Sequence, residues 1–276
     1  MSIITISHEA FGDGRQIAER VASILNYRCI SREVLVKASE RYGIAEAKLI
    51  EVLEERPHHW WAQFLESRGY YRIALQAALC ELAQEGRIVY HGRAGREFLP
   101  GIRHVLNVFV DTPVRSRIKQ VMARKGFTEE AAREFLEKSD RIRASRIREL
   151  FRIDWRDPTR YDMVISTAKT SVQTAAQTIA EVSQREEYRP TAESVQAMRD
   201  LTITTRVKAV LALSRLNISN LEVESRGGEV YVGGVILVES VKDIVIDTIR
   251  KLPGVTRVKT DFVIGTPDHY LYGDAR

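Results

Sequence analysis

The chain has 276 residues, 44% of them apolar, and a formal net charge of +5. That length suits one large domain or two ordinary ones, with enough apolar residues for a sizeable core. The mild basic surplus falls short of a dedicated nucleic-acid binder. It fits an anionic ligand such as a nucleotide, an acidic membrane face, or a plain solvated surface.

Two cysteines, Cys29 and Cys80, stand in apolar settings. They read as buried free thiols, not as a disulfide or metal ligands. No apolar run reaches membrane-spanning length and no signal-peptide pattern is present, so the expected location is cytoplasmic.

Ile3-Ile4-Thr5-Ile6 is a short β-branched run that predicts a buried strand. A loop with Gly12 and Gly14 follows, then Ile17, Val21, Ile24 and Leu25 at helical spacing. Strand, glycine loop and helix N-terminus together bring backbone N–H groups around a phosphate. The pattern departs from the usual phosphate loop. Glu9 stands for its first glycine, Arg15 for its lysine and Ile17 for its hydroxyl residue. On spacing alone, a phosphate cradle and an ordinary strand-to-helix turn are equal readings.

A second short strand precedes Ser31, the expected N-cap of a helix that fades near Gly43. Residues 45–56 carry another helical pattern. His58 and His59 are adjacent, so they do not face one way, and no cysteine or carboxylate cluster accompanies them; no metal site is expected. Trp60, Trp61 and Phe64 read as core or lid packing. A helix over 70–85 stops at Gly86, and a strand then opens into Gly92-Arg93-Ala94-Gly95-Arg96. Ligands of open α/β sheets sit at such strand ends, although a solvated arginine loop reads equally well here.

A strand over 105–110 leads to two helices, the second capped by Thr128. From Arg115 to Arg152 there are 12 Lys or Arg against 6 Asp or Glu. That surplus predicts an anion-facing lid, because phosphoryl transfer needs cations around the moving group. A turn-rich stretch over 154–162, a strand over 163–167 and a helix capped by Ser171 complete this half. The alternation predicts a mainly parallel sheet flanked by helices.

Residues 185–198 are polar, carry Pro190 and read as a linker. A helix containing Ile203 and Val207 follows. Next come a hairpin turning at Gly227-Gly228, a helix over 240–252 and a strand over 255–264.

Residues 1–184 resemble the cytidylate kinase-like family, relatives of the P-loop nucleoside monophosphate kinases. The resemblance rests on the opening Ile4-Thr5-Ile6-Ser7-His8-Glu9 through Gly14-Arg15-Gln16-Ile17, on Ser31-Arg32-Glu33-Val34-Leu35, and on His91-Gly92-Arg93-Ala94-Gly95. It extends through Lys138-Ser139-Asp140-Arg141-Ile142-Arg143, Asp154-Trp155-Arg156-Asp157-Pro158 and Tyr161-Asp162-Met163-Val164-Ile165-Ser166-Thr167. It implies a P-loop kinase-like parallel sheet with an arginine-rich helical lid, and ATP- and Mg2+-dependent phosphoryl transfer to a CMP-like acceptor.

By position, Gly12, Asp13, Gly14, Arg15 and Gln16 would line the donor phosphates. Arg32 and Arg93 would meet the acceptor, and Arg141 and Arg143 would close from the lid. Asp162 would meet the base or position an arginine. Phe11 and Asp13 depart from the family's loop, as does Ser31 from its aspartate. These departures sustain a second reading, a nucleotide-binding sensor with weak or lost catalysis.

Residues 199–267 resemble the BON domain, through Gly227-Gly228-Glu229-Val230-Tyr231-Val232-Gly233-Gly234-Val235 and Leu252-Pro253-Gly254-Val255. This implies a small α+β binding or regulatory module for a protein partner, a second copy of the chain, or anionic phospholipid at the inner membrane face. Arg250, Lys251, Arg257 and Lys259 are the basic residues for a lipid surface. Residues 268–276 read as an exposed tail. No nucleic-acid motif or aromatic platform is present.

Overall fold

The computed structural model describes residues 2–47, 49–50, 65–92, 94–214 and 216–265. Its first body is built from β1 (Ile3–His8), α1 (Gly14–Leu25), β2 (Arg28–Ile30), α2 (Glu33–Tyr42), α3 (Leu65–Ala83) and β3 (Ile88–Gly92). It continues through α4 (Gly95–Phe98), β4 (Val105–Asp111), α5 (Val114–Lys125), α6 (Glu129–Phe151), β5 (Met163–Ser166) and α7 (Val172–Val182). The sheet has order β2-β3-β1-β4-β5 and every pairing in it is parallel.

Strands covered on both faces become continuous apolar runs. Ile3 and Ile88 pack toward α2 and α3, while Ile4, Ile6, Val89 and Val108 pack toward α1 and α7. The polar exceptions are satisfied within the sheet: Thr5 donates to Asn107 at 2.9 Å, and Asn107 donates to Asp162 at 3.0 Å.

The second body contains α8 (Ala192–Leu213), β6 (Ile218–Arg226), β7 (Glu229–Ile236), α9 (Ser240–Arg250) and β8 (Arg257–Ile264). Its sheet has order β6-β7-β8, antiparallel then parallel. Of residues 185–198, read from the sequence as a linker, the last seven already belong to α8, which starts at a capping box between Thr191 and Ser194. Met198 lies in the core of the first body, whereas Ile203, Val207 and Leu211 lie in that of the second. One helix therefore contributes to both cores.

Local sequence signals behave unevenly. Thr128 and Ser171 cap α6 and α7 as expected. Ser31 does not cap α2; the Glu33 carboxylate folds back onto the Ser31 N–H at 2.7 Å, and Arg32 takes the N-cap position. Of the two thiols, Cys80 is buried but Cys29 is only half-buried. Burial pushes them up to about 12 and about 11, so neither is a reactive thiolate. His58, His59, Trp60, Trp61 and Phe64 lie outside the described residues. Among the described residues no helix is long and apolar enough to cross a membrane.

Candidate active site

The site begins where β1 ends. Its last residue, His8, lays its ring on the first turn of α1, so a Cβ on Gly14 would stand 2.2 Å from the His8 Cβ. A Cβ on Gly12 would stand 2.8 Å from the Thr112 hydroxyl. Both glycines are required by close approach. Between them the loop is tied down: the Gly12 N–H donates to the Glu9 carbonyl at 3.3 Å, and the Asp13 N–H donates to the Thr112 hydroxyl at 3.1 Å. The first N–H groups of α1, at Gly14, Arg15 and Gln16, have no intrahelical acceptor by geometry and form an electropositive helix end. Asp13 is the N-cap residue of that end and makes no side-chain capping bond to it. Its carboxylate accepts from Gln120 of α5 at 3.0 Å. Ile17, expected at the hydroxyl position, is fully buried in the core, and the residue that follows Arg15 is Gln16, which is exposed.

A cavity of about 330 Å³ opens beside this loop, at the C-terminal ends of β1 and β3. Val34, Leu35, Leu75 and Phe98 form an apolar wall. The polar lining comes from His8, Ser31, Tyr90 and His91, and from three arginines, Arg15, Arg32 and Arg143. Among the described residues no carboxylate lines the cavity. The arginines come from α1, the α2 N-cap and α6, the last more than 100 residues beyond the first two in sequence. Burial lowers His91 below the ordinary histidine value, so its ring is neutral at physiological pH.

Arg143 is buried, with its guanidinium 4.5 Å from the Trp155 ring centroid. Trp155 meets Phe109 edge-on at 5.5 Å, Phe109 stacks on Tyr161 at 5.3 Å, and the Tyr161 hydroxyl donates back to the Trp155 carbonyl at 2.6 Å. The Asp154–Pro158 segment thus positions a lid arginine. Arg15 and Arg32 are instead exposed and paired outward, with Glu19 at 2.8 Å and Glu46 at 2.7 Å. Such pairs are weak and yield readily to a better anion.

A second charged group lies under the loop and has no counterpart in the sequence reading. Arg117, 1% exposed, donates to the Ala10 carbonyl at 2.8 Å and grips Asp140 through two bonds of 2.9 and 2.7 Å. Arg156 joins Asp140 at 3.0 Å and Glu9 at 3.4 Å. Burial raises Glu9 above the ordinary carboxylate value despite the Thr112 N–H and both guanidinium groups. Burial also pushes Asp140 up, but the bonds and charges of Arg117 and Arg156 outweigh it and hold Asp140 low. The group links the loop to α5, α6 and the Asp154–Pro158 turn.

The remaining expected residues are dispersed. Arg141 lies on the exposed side of α6 and does not line the cavity. Asp162, expected at the nucleotide, precedes β5 and so lies toward the N-terminal end of the sheet, away from the strand ends that form the cavity. There it accepts from the Asn107 main-chain and side-chain N–H groups at 2.8 and 3.0 Å. Arg93 lies outside the described residues. The donor set around the loop does not make a Mg2+ site: Glu9 and Asp13 are already engaged, Gln16 offers no hydroxyl, and no cluster of three His, Cys, Asp or Glu is present among the described residues.

Comparisons with known proteins agree with this division. The model of the cytidylate kinase-like family matches residues 3–169, and that of the BON domain matches residues 199–266. A cytidylate kinase of Ignicoccus hospitalis is 23% identical over 180 residues, covering 65% of this chain and 97% of that protein. The crystal structure of an uncharacterized protein from Eubacterium ventriosum superimposes with a TM-score of 0.51 at 23% identity, over 66% of this chain and 97% of its own.

Proposed function

We propose that this chain, which belongs to the cytidylate kinase-like family, transfers the terminal phosphoryl group of ATP to a nucleoside monophosphate, with CMP the expected acceptor. The observation that carries this reading is the convergence of Arg15, Arg32 and Arg143 on one cavity with an apolar wall and, among the described residues, no lining carboxylate. Guanidinium groups select phosphate, and the apolar wall suits the flat ring of a nucleotide.

In this reading the donor phosphates lie against Gly12, Asp13, Gly14, Arg15 and Gln16, with the N–H groups of the α1 end directed at them. Arg32 holds the acceptor phosphate, and Arg93 is assigned to the same task by resemblance alone. An acceptor phosphate oxygen attacks the terminal phosphorus and ADP leaves. The nucleophile is already ionised, so no general base is needed. Arg15 and Arg143 balance the charge that spreads over the transferring oxygens. Arg143 has the stronger case because Trp155 already holds it in place. Arg141, on the outer side of α6, has no part in this arrangement. The metal in such a reaction is carried by the ATP phosphates; no step here is derived through it.

A second reading, a nucleotide sensor with weak catalysis, is favoured by the outward pairing of Arg15 with Glu19. For the BON module we propose a protein partner or an anionic phospholipid surface, with Arg250, Lys251, Arg257 and Lys259 as the basic residues. Sedimentation of the full chain with phosphatidylglycerol vesicles tests the lipid alternative. Incubation with ATP, Mg2+ and a panel of nucleoside monophosphates separates the two nucleotide readings. Diphosphate formed from one acceptor supports the kinase. ATP raising the melting temperature with no diphosphate from any acceptor supports the sensor.

A further inference from the structure

Among the described residues the second sheet ends on an open edge. β8 pairs with β7 along its whole length, Arg257–Ile264, using one side of its backbone. Among the described residues no strand pairs with the other side. An unpaired edge of this kind is a template for another chain, and β8 carries neither proline nor glycine to break a new ladder.

The side chains on β8 make one pairing better than its neighbours. Arg257, Lys259, Asp261 and Val263 are exposed, while Val258 and Phe262 pack on the second core. A two-fold axis through Thr260, normal to the sheet, would set a second copy of β8 antiparallel to the first. Lys259 of each copy would then stand opposite Asp261 of the other, and Val258 opposite Phe262, extending the apolar layer. Sliding to the next face-preserving registers puts Asp261 against Asp261 in one direction, and in the other puts Lys259 against Lys259 between two Arg257–Asp261 pairs. Like charges directly opposite are unfavourable, and opposite charges favourable. Within one copy Lys259 pairs with Glu229 at 2.9 Å, whereas Asp261 has no ion pair among the described residues. Val263, 62% exposed, and Ile244 of α9, 49% exposed, are apolar surface beside this edge and on the helix that packs on it.

We propose that the chain forms a homodimer by antiparallel pairing of β8 with β8 of a second copy, in the register that sets Lys259 against Asp261, giving one continuous six-stranded sheet. The partner is a second copy because the complementarity is self-complementary: the strand supplies both members of each ion pair. This dimer does not depend on the reaction carried out by the first body.

The test is sedimentation velocity on the full chain, with Lys259→Asp, Asp261→Lys and the double variant, each checked for an unchanged circular dichroism spectrum. The wild type is expected to dimerise. Each single reversal turns two opposite-charge pairs into two like-charge pairs, so each should weaken the dimer about tenfold or more. The double variant restores both pairs and should recover wild-type association. A monomeric wild type would overturn the proposal. So would a dimer indifferent to the single reversals, or one that the double variant fails to restore.

Discussion

Around the end of β1, charged side chains are locked away from water: Arg117 is 1% exposed, Glu9 8% and Asp140 19%. On β7 and β8 the same kinds of groups stand in solvent. Arg257 is 71% exposed and Lys259 43%, and both reach Glu229, at 3.6 and 2.9 Å. The geometry of the two clusters is similar, but the energetics differ. Removing one partner of a buried pair leaves an uncompensated charge in low dielectric, whereas an exposed pair is largely replaced by water. The first cluster can therefore fix a loop, and the second can exchange partners.

Mutations at matched positions should expose that contrast. Arg117→Met leaves Asp140 and Glu9 with the more exposed Arg156 as their guanidinium partner and removes the bond to the Ala10 carbonyl. Urea unfolding should show a loss of about 3–5 kcal/mol, and a loss under ~1 kcal/mol would mean the cluster does not hold the loop. Gly14→Ala forces its new Cβ against the His8 ring. It should cost about 1–3 kcal/mol and also abolish any thermal shift caused by ATP, because the loop and the α1 end move together.

The pH dependence sharpens the same comparison. Asp140 titrates below the usual aspartate value of 3.8 when folded. Its stabilisation is complete above the unfolded value and is lost as pH falls through the folded one. Glu9, raised above 4.5, acts in the opposite sense and opposes folding as it ionises. Urea midpoints of wild type and Asp140→Asn should therefore differ most near neutral pH and converge on acidification; parallel curves would refute the assignment. The smallest effect is expected on β7. Glu229→Gln should leave the urea midpoint at the wild-type value, and a clear drop would show that the exposed cluster is more than a solvated network.

Local signals in the sequence were legible where the structure resolves them locally. The β-branched run of β1, Gly14 against His8, the caps Thr128 and Ser171, and the Gly227-Gly228 turn act within a few residues of themselves, whereas the need for Gly12 comes from Thr112, 100 residues on. Ser31 failed as a cap because the helix begins one residue later, with Arg32 at the N-cap position, while the Glu33 carboxylate accepts from the Ser31 N–H. The start of α8 was hidden because its capping box uses Ser194 where glutamate or glutamine is the usual signal.

The arginine surplus from Arg115 to Arg152 was visible as a number but not as a division of labour. Arg117 spends its charge on Asp140, 23 residues away, while Arg143 reaches the cavity and Arg141 faces outward. Nothing in the local sequence around Arg117 distinguishes it from exposed Arg115 on the same helix. Asp162 lies within a family-like segment, but its place before β5 puts it toward the opposite end of the sheet from the cavity.

The most direct test of the central claim compares turnover of the wild type and Arg143→Met with ATP and the best nucleoside monophosphate. If the three-arginine cavity is where the phosphoryl group moves, kcat should fall about 10²–10³-fold while the variant keeps its melting temperature within a few degrees. Wild-type turnover that survives unchanged in the variant would contradict it.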